Sequence, residues 1–370
     1  MKILFTCISN GWGGLEMYSL TILLHLKKLN YDVSLLALKS SNLYKEAEKE
    51  NIKLFFIETE SYFNLNSFIQ IKKIIQKEKF DLIHSHSSKD LWFVVPVLKI
   101  INSKIPIHFT KHVASGISKK DFLHNWLYSR INKVYAISKM IEQNLLVTTS
   151  IKKEKIVLLH NGIDTEKFNP DLYERKIFRE EIKIGDDEIL IGMIGRISQG
   201  KGHEEFLLCA EKLLNKYSNL KFVIVGHPSI NEDGYYKRIL EFAERINQKE
   251  RIIFTGLRKD TPNILAGIDI YVFPSHDESF GLTLVEAMSM KKPNVCTRAS
   301  GVLEIAIEDE TSLLFNKGDV DDLSEKISTL IKSKELRMKL GENSRRRVLE
   351  NFDLNGYIQK LLMHYQVSVK

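Results

Sequence analysis

The chain has 370 residues, enough for two domains that each bury a core of their own. It is moderately basic, net +7, and the asymmetry is informative: residues 1–168 hold 24 Lys+Arg against 15 Asp+Glu, and the remainder 30 against 32. Cys7, Cys209 and Cys296 are far apart and form no C-x-x-C pair, which argues against a disulfide framework or a structural zinc site.

The N-terminus enters a strand directly, and its apolar run is too short for a signal peptide. No stretch approaches the ~20 apolar residues that span a bilayer. The expected location is the cytoplasm, with a peripheral contact to an anionic membrane at the inner face of the cell membrane as a use for the basic half.

In chain order, apolar runs predict strands at 2–8, Val33–Leu38, Leu54–Ile57, Asp81–His84, Ile105–Phe109, Lys133–Ile137 and Ile156–Leu159. Helical spacing fills most of the gaps, as in Leu15–Leu29 and Leu65–Lys77. Turn chemistry follows at His160-Asn-Gly-Ile-Asp164 and Phe168-Asn-Pro170. A second series begins beyond it: Ile189–Ile194, Lys221–Val225, Ile252–Phe254, Ile268–Phe273 and Asn294–Cys296. Strands alternating with helices predict an α/β fold of two doubly wound, Rossmann-like domains, 1–168 and 169–351. A last helical pattern runs through 352–370.

In such sheets ligands bind beyond the carboxyl ends of the strands, and the candidate motifs sit there. Asn10-Gly-Trp-Gly13-Gly14-Leu-Glu16 joins the first strand to the first helix; paired glycines admit a ligand close to the backbone, or simply serve a tight turn. His84 and His86 follow the fourth strand, and Lys111-His112 the fifth. Without an evident third ligand a metal is not expected, and His112 is the first choice for a hydrogen-bonding role. Gly195-Arg196-Ile-Ser-Gln-Gly200-Lys201-Gly202 brings two cations to one loop, but matches neither the P-loop order nor G-x-G-x-x-G. Glu278-Ser-Phe-Gly-Leu-Thr-Leu-Val-Glu286 places two carboxylates around a helix start, where N–H groups of Gly281, Leu282 and Thr283 can meet an anion. Phosphate between two hydroxyl-binding carboxylates describes a nucleotide-sugar. Asp319-Val-Asp321 reads as a helix cap.

Taken together, these residues resemble the retaining GT-B glycosyltransferases of the large family numbered four. Gly13-Gly14-Leu-Glu16, Asp81-Leu-Ile-His-Ser-His86, Thr110-Lys-His112, Ala136-Ile-Ser138 and Asn161-Gly-Ile-Asp164 resemble the family's N-terminal signposts. Gly195-Arg196 with Lys201-Gly202, Pro274-Ser275, Glu278-Ser-Phe-Gly281 and Glu286-Ala-Met288 resemble its C-terminal signature. The resemblance implies two Rossmann-like domains facing across a cleft, with the last helix crossing back to the N-terminal domain. It implies that Arg196 and Lys201 hold a donor diphosphate, that Glu278 binds sugar hydroxyls and Glu286 the ribose, that Gly281, Leu282 and Thr283 offer backbone N–H groups to phosphate, and that Phe280 belongs to the donor-binding set. Gly13 and Gly14 would approach the donor, and His112 would line the reacting centre. No metal is implied, and the donor would be a UDP- or GDP-sugar. Lys291, Asp309 and Ser312 stand where the family usually has glycine, which predicts altered loops.

The implied reaction moves a hexose to an acceptor hydroxyl with retention of anomeric configuration, in cell-surface polysaccharide, lipopolysaccharide or glycolipid synthesis. The acceptor would be a saccharide or lipid-linked; the basic, apolar segment Ser118–Arg130 could touch a membrane or be an ordinary helix. A sugar-nucleotide epimerase of the same fold, which needs no acceptor, and a non-catalytic subunit are the competing readings. No role in nucleic-acid binding is expected.

Overall fold

Thirteen strands, every paired neighbour parallel, build two separate sheets among the described residues. The computed structural model describes residues 1–62, 64–228 and 232–369, so the end of the expected 352–370 helix, Lys370, lies outside the described residues.

The first sheet contains β1 (Lys2–Cys7), β2 (Asp32–Leu38), β3 (Lys53–Ile57), β4 (Leu82–Ser85), β5 (Ile107–Lys111), β6 (Lys133–Ala136) and β7 (Ile156–Leu158), in the order β3-β2-β1-β4-β5-β6-β7. The second contains β8 (Ile189–Ile194), β9 (Leu220–Val225), β10 (Ile252–Gly256), β11 (Ile270–Phe273), β12 (Asn294–Thr297) and β13 (Ser312–Phe315), in the order β10-β9-β8-β11-β12-β13. Central strands are buried along nearly their whole length, as a parallel sheet covered by helices on both faces requires. Both sheets have the doubly wound order, so each has one switch point: β1/β4 in the first and β8/β11 in the second.

The chain divides into two compact units. One holds residues 1–160 together with those from Tyr357 onward, the other Asn161–Gly356. Residues 161–168 belong to the second unit because the Asn161-Gly-Ile-Asp164 turn is tied to its far end. The Ile163 N–H donates to the Phe352 carbonyl (2.8 Å), Leu354 N–H to the Ile163 carbonyl (2.9 Å), and the Thr165 hydroxyl to the Asp353 carboxylate (2.6 Å). The last helix, Leu354–Val369, starts in the second unit and runs along the first sheet from Tyr357 onward. There the Tyr365 hydroxyl meets His84 Nδ1, and the Ser368 hydroxyl lies 2.8 Å from His108 Nε2.

The strand bounds move by a residue or two from the sequence pattern. β5 begins at Ile107 because Pro106 has no N–H to give the ladder; its carbonyl accepts from Ile83 instead. β13 is the one strand the pattern missed. Asp319 caps the helix Val320–Lys332, accepting the Asp322 N–H at 3.0 Å, as expected. Two of the glycine replacements take a left-handed backbone, Lys291 at φ 56° and Asp309 at φ 59°. Lys291 ends the helix Leu282–Ser289, the position where glycine is favoured on steric grounds. Both positions therefore carry some backbone strain.

Candidate functional site

The second unit concentrates its candidate residues in the two loops that leave β8 and β11, on either side of the switch point. These loops are pressed together. At Gly202, φ is +78° and a Cβ would lie 2.2 Å from the Pro274 carbonyl oxygen, so only glycine fits. The His276 N–H donates to the Gly200 carbonyl at 2.8 Å, and the His276 ring pairs with Glu205 at 2.5 Å. This packing carries Lys201 onto Glu278: ammonium and carboxylate form a close ion pair, and the Ser275 hydroxyl donates to the same carboxylate at 3.3 Å. The two residues are 77 positions apart in sequence.

Arg196 lies on the β8 loop, is exposed, and makes no ion pair among the described residues. At Gly281, φ is +105° and the helix Leu282–Ser289 begins. The N–H groups of Gly281, Leu282 and Thr283 fall in the first turn and have no intrahelical acceptor, whereas Leu284 already donates back to the Gly281 carbonyl at 3.1 Å. The Phe280 ring is buried edge-on against Phe352, so it belongs to the interior and leaves only its backbone to address a ligand. Glu286 is partly covered at its surface yet deeply set; burial pushes its carboxyl up to about 7, opposed by the nearby Lys167 ammonium. No side chain among the described residues hydrogen-bonds to it.

The first unit treats its switch point differently. Glu16, in the first turn of the helix Gly14–Lys28, folds back over the glycine loop. Its carboxylate accepts the Gly13 N–H at 2.9 Å and the Ser9 hydroxyl at 2.6 Å. Asp90 is fully buried between the β1 and β4 loops and accepts the N–H groups of Ile8 (2.8 Å), His86 (3.1 Å) and Ser87 (2.9 Å) and the Thr6 hydroxyl (3.0 Å). Burial pushes its carboxyl up to about 6 against those hydrogen bonds. Neither role was read from the sequence. A Cβ added at Gly14 would meet nothing within 4 Å, so internal packing does not explain that glycine.

His112 is buried beyond β5. Its Nε2 lies 3.1 Å from His86 Nδ1, and the two rings stack. Burial, and then the adjacent Lys111 charge, lower His112 to about 3, so the imidazole is neutral. His84 is held by Thr110 and Tyr365 and is likewise kept neutral by burial. Among the described residues, no group of three or more His, Cys, Asp or Glu side chains is disposed to hold a metal.

Two family models cover most of the chain: one described as Glycosyltransferase Family 4 matches residues 12–167, and one described as Glycosyl transferases group 1 matches residues 174–347. The capsular polysaccharide biosynthesis glycosyltransferase CapM of Staphylococcus aureus is 28% identical over 64% of this chain, a match that spans only 62% of that relative. The UDP-Gal:alpha-D-GlcNAc-diphosphoundecaprenol alpha-1,3-galactosyltransferase of Escherichia coli is 22% identical over 94% of this chain and 92% of its own. A glycosyltransferase structure from Rickettsia africae ESF-5 superposes with a TM-score of 0.88 at 24% identity, covering 100% of this chain and 98% of that one, which fixes the fold. With two doubly wound sheets, the matched signposts and these relatives, the chain belongs to the family 4 glycosyltransferases of the GT-B fold.

Proposed function

We propose that the protein transfers a hexose from a nucleoside diphosphate sugar, UDP- or GDP-linked, to an acceptor hydroxyl with retention of anomeric configuration, in the synthesis of a cell-surface polysaccharide or glycolipid. The observation that carries this reading is the β8/β11 switch point. Arg196 and Lys201 lie on the loop after β8, and the N–H groups of Gly281, Leu282 and Thr283 open a helix after β11. No carboxylate among the described residues accepts from those three N–H groups. A diphosphate supplies what is missing, negative charge with several acceptor oxygens.

In the reaction the bond between sugar C1 and the diphosphate oxygen breaks, and the electron pair goes to that oxygen. The sugar gains positive charge while the diphosphate gains negative charge. Preorganised cations and amides aimed at the departing oxygen lower that barrier, each donor being worth ~3 kcal/mol. The acceptor oxygen forms its bond to C1 on the face that the phosphate leaves, and the acceptor proton passes to the phosphate oxygen. Glu278 binds sugar hydroxyls once the diphosphate competes for Lys201. Glu286 takes the ribose, and Phe280 contributes backbone only. By the family pattern Gly13, Gly14 and His112 serve the same reaction, with the neutral His112 as a hydrogen-bonding group. Cationic side chains do the work that a divalent metal does elsewhere, so no metal is required. The acceptor is a saccharide or a lipid-linked sugar; the Escherichia coli relative is named for a diphosphoundecaprenol-linked one.

The test begins with melting curves against UDP, GDP and their sugars, since a ligand that binds only the native state raises the midpoint. Transfer with the stabilising donor is then followed by NMR of the anomeric proton. A product of inverted configuration removes retention. Turnover of donor to an epimer without acceptor makes the enzyme an epimerase instead.

A further inference from the structure

His86 follows β4 and His112 follows β5, two strands that pair in parallel. The backbone of the first is fixed by the buried Asp90 carboxylate, which accepts the N–H groups of His86 at 3.1 Å and Ser87 at 2.9 Å. The His86 ring lies flat against Phe5, with centroids 5.2 Å apart and planes 17° apart. From that frame its Nδ1 reaches His112 Nε2 at 3.1 Å, and the two imidazole planes differ by 24°, so the N–H of one ring can point at the lone pair of the other.

The two remaining ring nitrogens differ. His86 Nε2 is sealed from solvent and has no partner among the described residues. His112 Nδ1 also lacks a partner among the described residues, but it is not sealed. Burial keeps both rings neutral, so each carries one proton. Two arrangements then make the shared hydrogen bond. If His112 donates, the His86 proton sits on Nε2 as a buried N–H with no acceptor. If His86 donates, its Nε2 is a bare lone pair, and the His112 proton sits on Nδ1. Orphaned buried N–H groups are rarer in folded proteins than orphaned acceptors, and the second arrangement has none at this pair. The bond that one ring nitrogen makes thus sets which form the other takes.

We propose that His86 is a positioning residue for sugar transfer: it donates from Nδ1 to His112 Nε2, fixes that imidazole, and leaves His112 Nδ1–H as a hydrogen-bond donor to a substrate oxygen. The inference rests on the glycosyltransfer reading, in which His112 serves the reaction. It assigns His112 one task and removes another. With its lone pair committed inward, His112 has no base to offer, so it does not take the acceptor proton. That proton goes to the departing phosphate oxygen. What His112 supplies is a donor at a fixed place, which orients an oxygen of the substrate. Being neutral, the ring adds no positive charge beside a sugar that itself becomes positive in the transition state.

The first test needs no turnover. Nitrogen NMR of the histidine rings in the full, unliganded chain locates each ring proton, with the His112 signals assigned by their loss in His112→Gln. Wild type is expected to carry the His112 proton on Nδ1. A proton on Nε2 overturns the proposal whether or not the chain transfers sugar. Kinetics tests the consequence. His86→Leu should lower kcat about a hundredfold, the loss that a displacement of ~1 Å in a reacting geometry brings. The KM for the donor and the UDP-induced melting shift should stay as in wild type. His86→Asn, whose side-chain amide puts a donor where Nδ1 stood, should recover most of the loss. A merely structural His86 would instead lower the melting point, move KM together with kcat and gain nothing from the amide. That pattern, or an unchanged kcat in His86→Leu, also overturns the proposal. Absence of any transfer by wild type would count against the glycosyltransfer reading, while the position of the His112 proton would still decide the His86 bond.

Discussion

The two sheets share one strand order, yet their switch points are opposites. In the first unit the loop amides are already claimed: Glu16 takes Gly13, and Asp90 takes Ile8, His86 and Ser87. In the second, the amides of Gly281, Leu282 and Thr283 face no protein carboxylate, and Arg196 and Lys201 stand on the neighbouring loop. Overall charge runs the other way. The first unit holds 25 Lys+Arg against 13 Asp+Glu, net +12, and the second 29 against 34, net −5. The amides that no protein carboxylate claims therefore lie in the unit of negative net charge, so the supply of free donors does not follow the sign of a domain. Net charge speaks instead to surfaces.

Removing a cation from the open switch point should give the largest effect. Lys201→Ala should lower turnover at saturating donor by about 10²–10³-fold, the usual loss for one preorganised donor to a developing anion. The fold should persist, since Lys201 is partly exposed and contributes little to packing. Unchanged turnover would show that the second switch point is no more specialised than the first.

At the closed switch point the expected loss is stability. Asp90→Ala leaves two buried N–H groups and one partly buried N–H without an acceptor and should cost about 3 kcal/mol in denaturant unfolding. Hydrogen exchange locates the effect: the amides of Ile8, His86 and Ser87 should lose protection first. If they exchange as in wild type, Asp90 is not what closes those loops.

Much of the fold behind this contrast is legible in the sequence. The apolar runs mark twelve of the thirteen strands, because a strand covered on both faces must be hydrophobic throughout. β13 escaped because Ser312-Leu-Leu-Phe315 is short and begins on a polar residue, after Glu308-Asp-Glu310. The residues at the ends of β8 and β11 were readable because glycine, arginine and paired glutamates are unusual there together. What could not be read is pairing over distance. Nothing local to Ile8 announces Asp90, 82 residues on, and nothing near Glu278 announces Lys201. Glu16 was visible as part of a motif, but its folding back over Gly13 depends on the helix start that the loop itself sets.

The titration of Glu286 sharpens the comparison further. Its carboxyl is raised from the usual range to about 7, so the free protein holds it protonated below that pH. A ribose hydroxyl donates well only to the carboxylate. Affinity should therefore rise with pH, by about tenfold per unit at the steepest, and level off above about pH 7. Uridine and guanosine are the probes to use, since they carry no titrating phosphate. Glu286→Gln should flatten the profile, and Glu286→Ala should weaken nucleotide binding more than Glu278→Gln does. A flat profile in wild type would remove the ribose role.

The smallest effect is expected at Lys291, which holds a left-handed backbone against the Gly341 turn of a neighbouring helix. Lys291→Gly relieves a strain of about 1–2 kcal/mol. It also gives the unfolded chain more freedom, a loss of about 0.5–1 kcal/mol, and removes a half-exposed ion pair with Glu342 at 2.9 Å, worth at most about 1 kcal/mol. These terms nearly cancel, so unfolding should shift by less than about 1 kcal/mol and turnover should stay at the wild-type level. A fall in turnover at constant stability would mean that Lys291 touches substrate. That would extend the open switch point past the far end of the helix Leu282–Ser289, beyond the stretch where backbone amides alone could account for it.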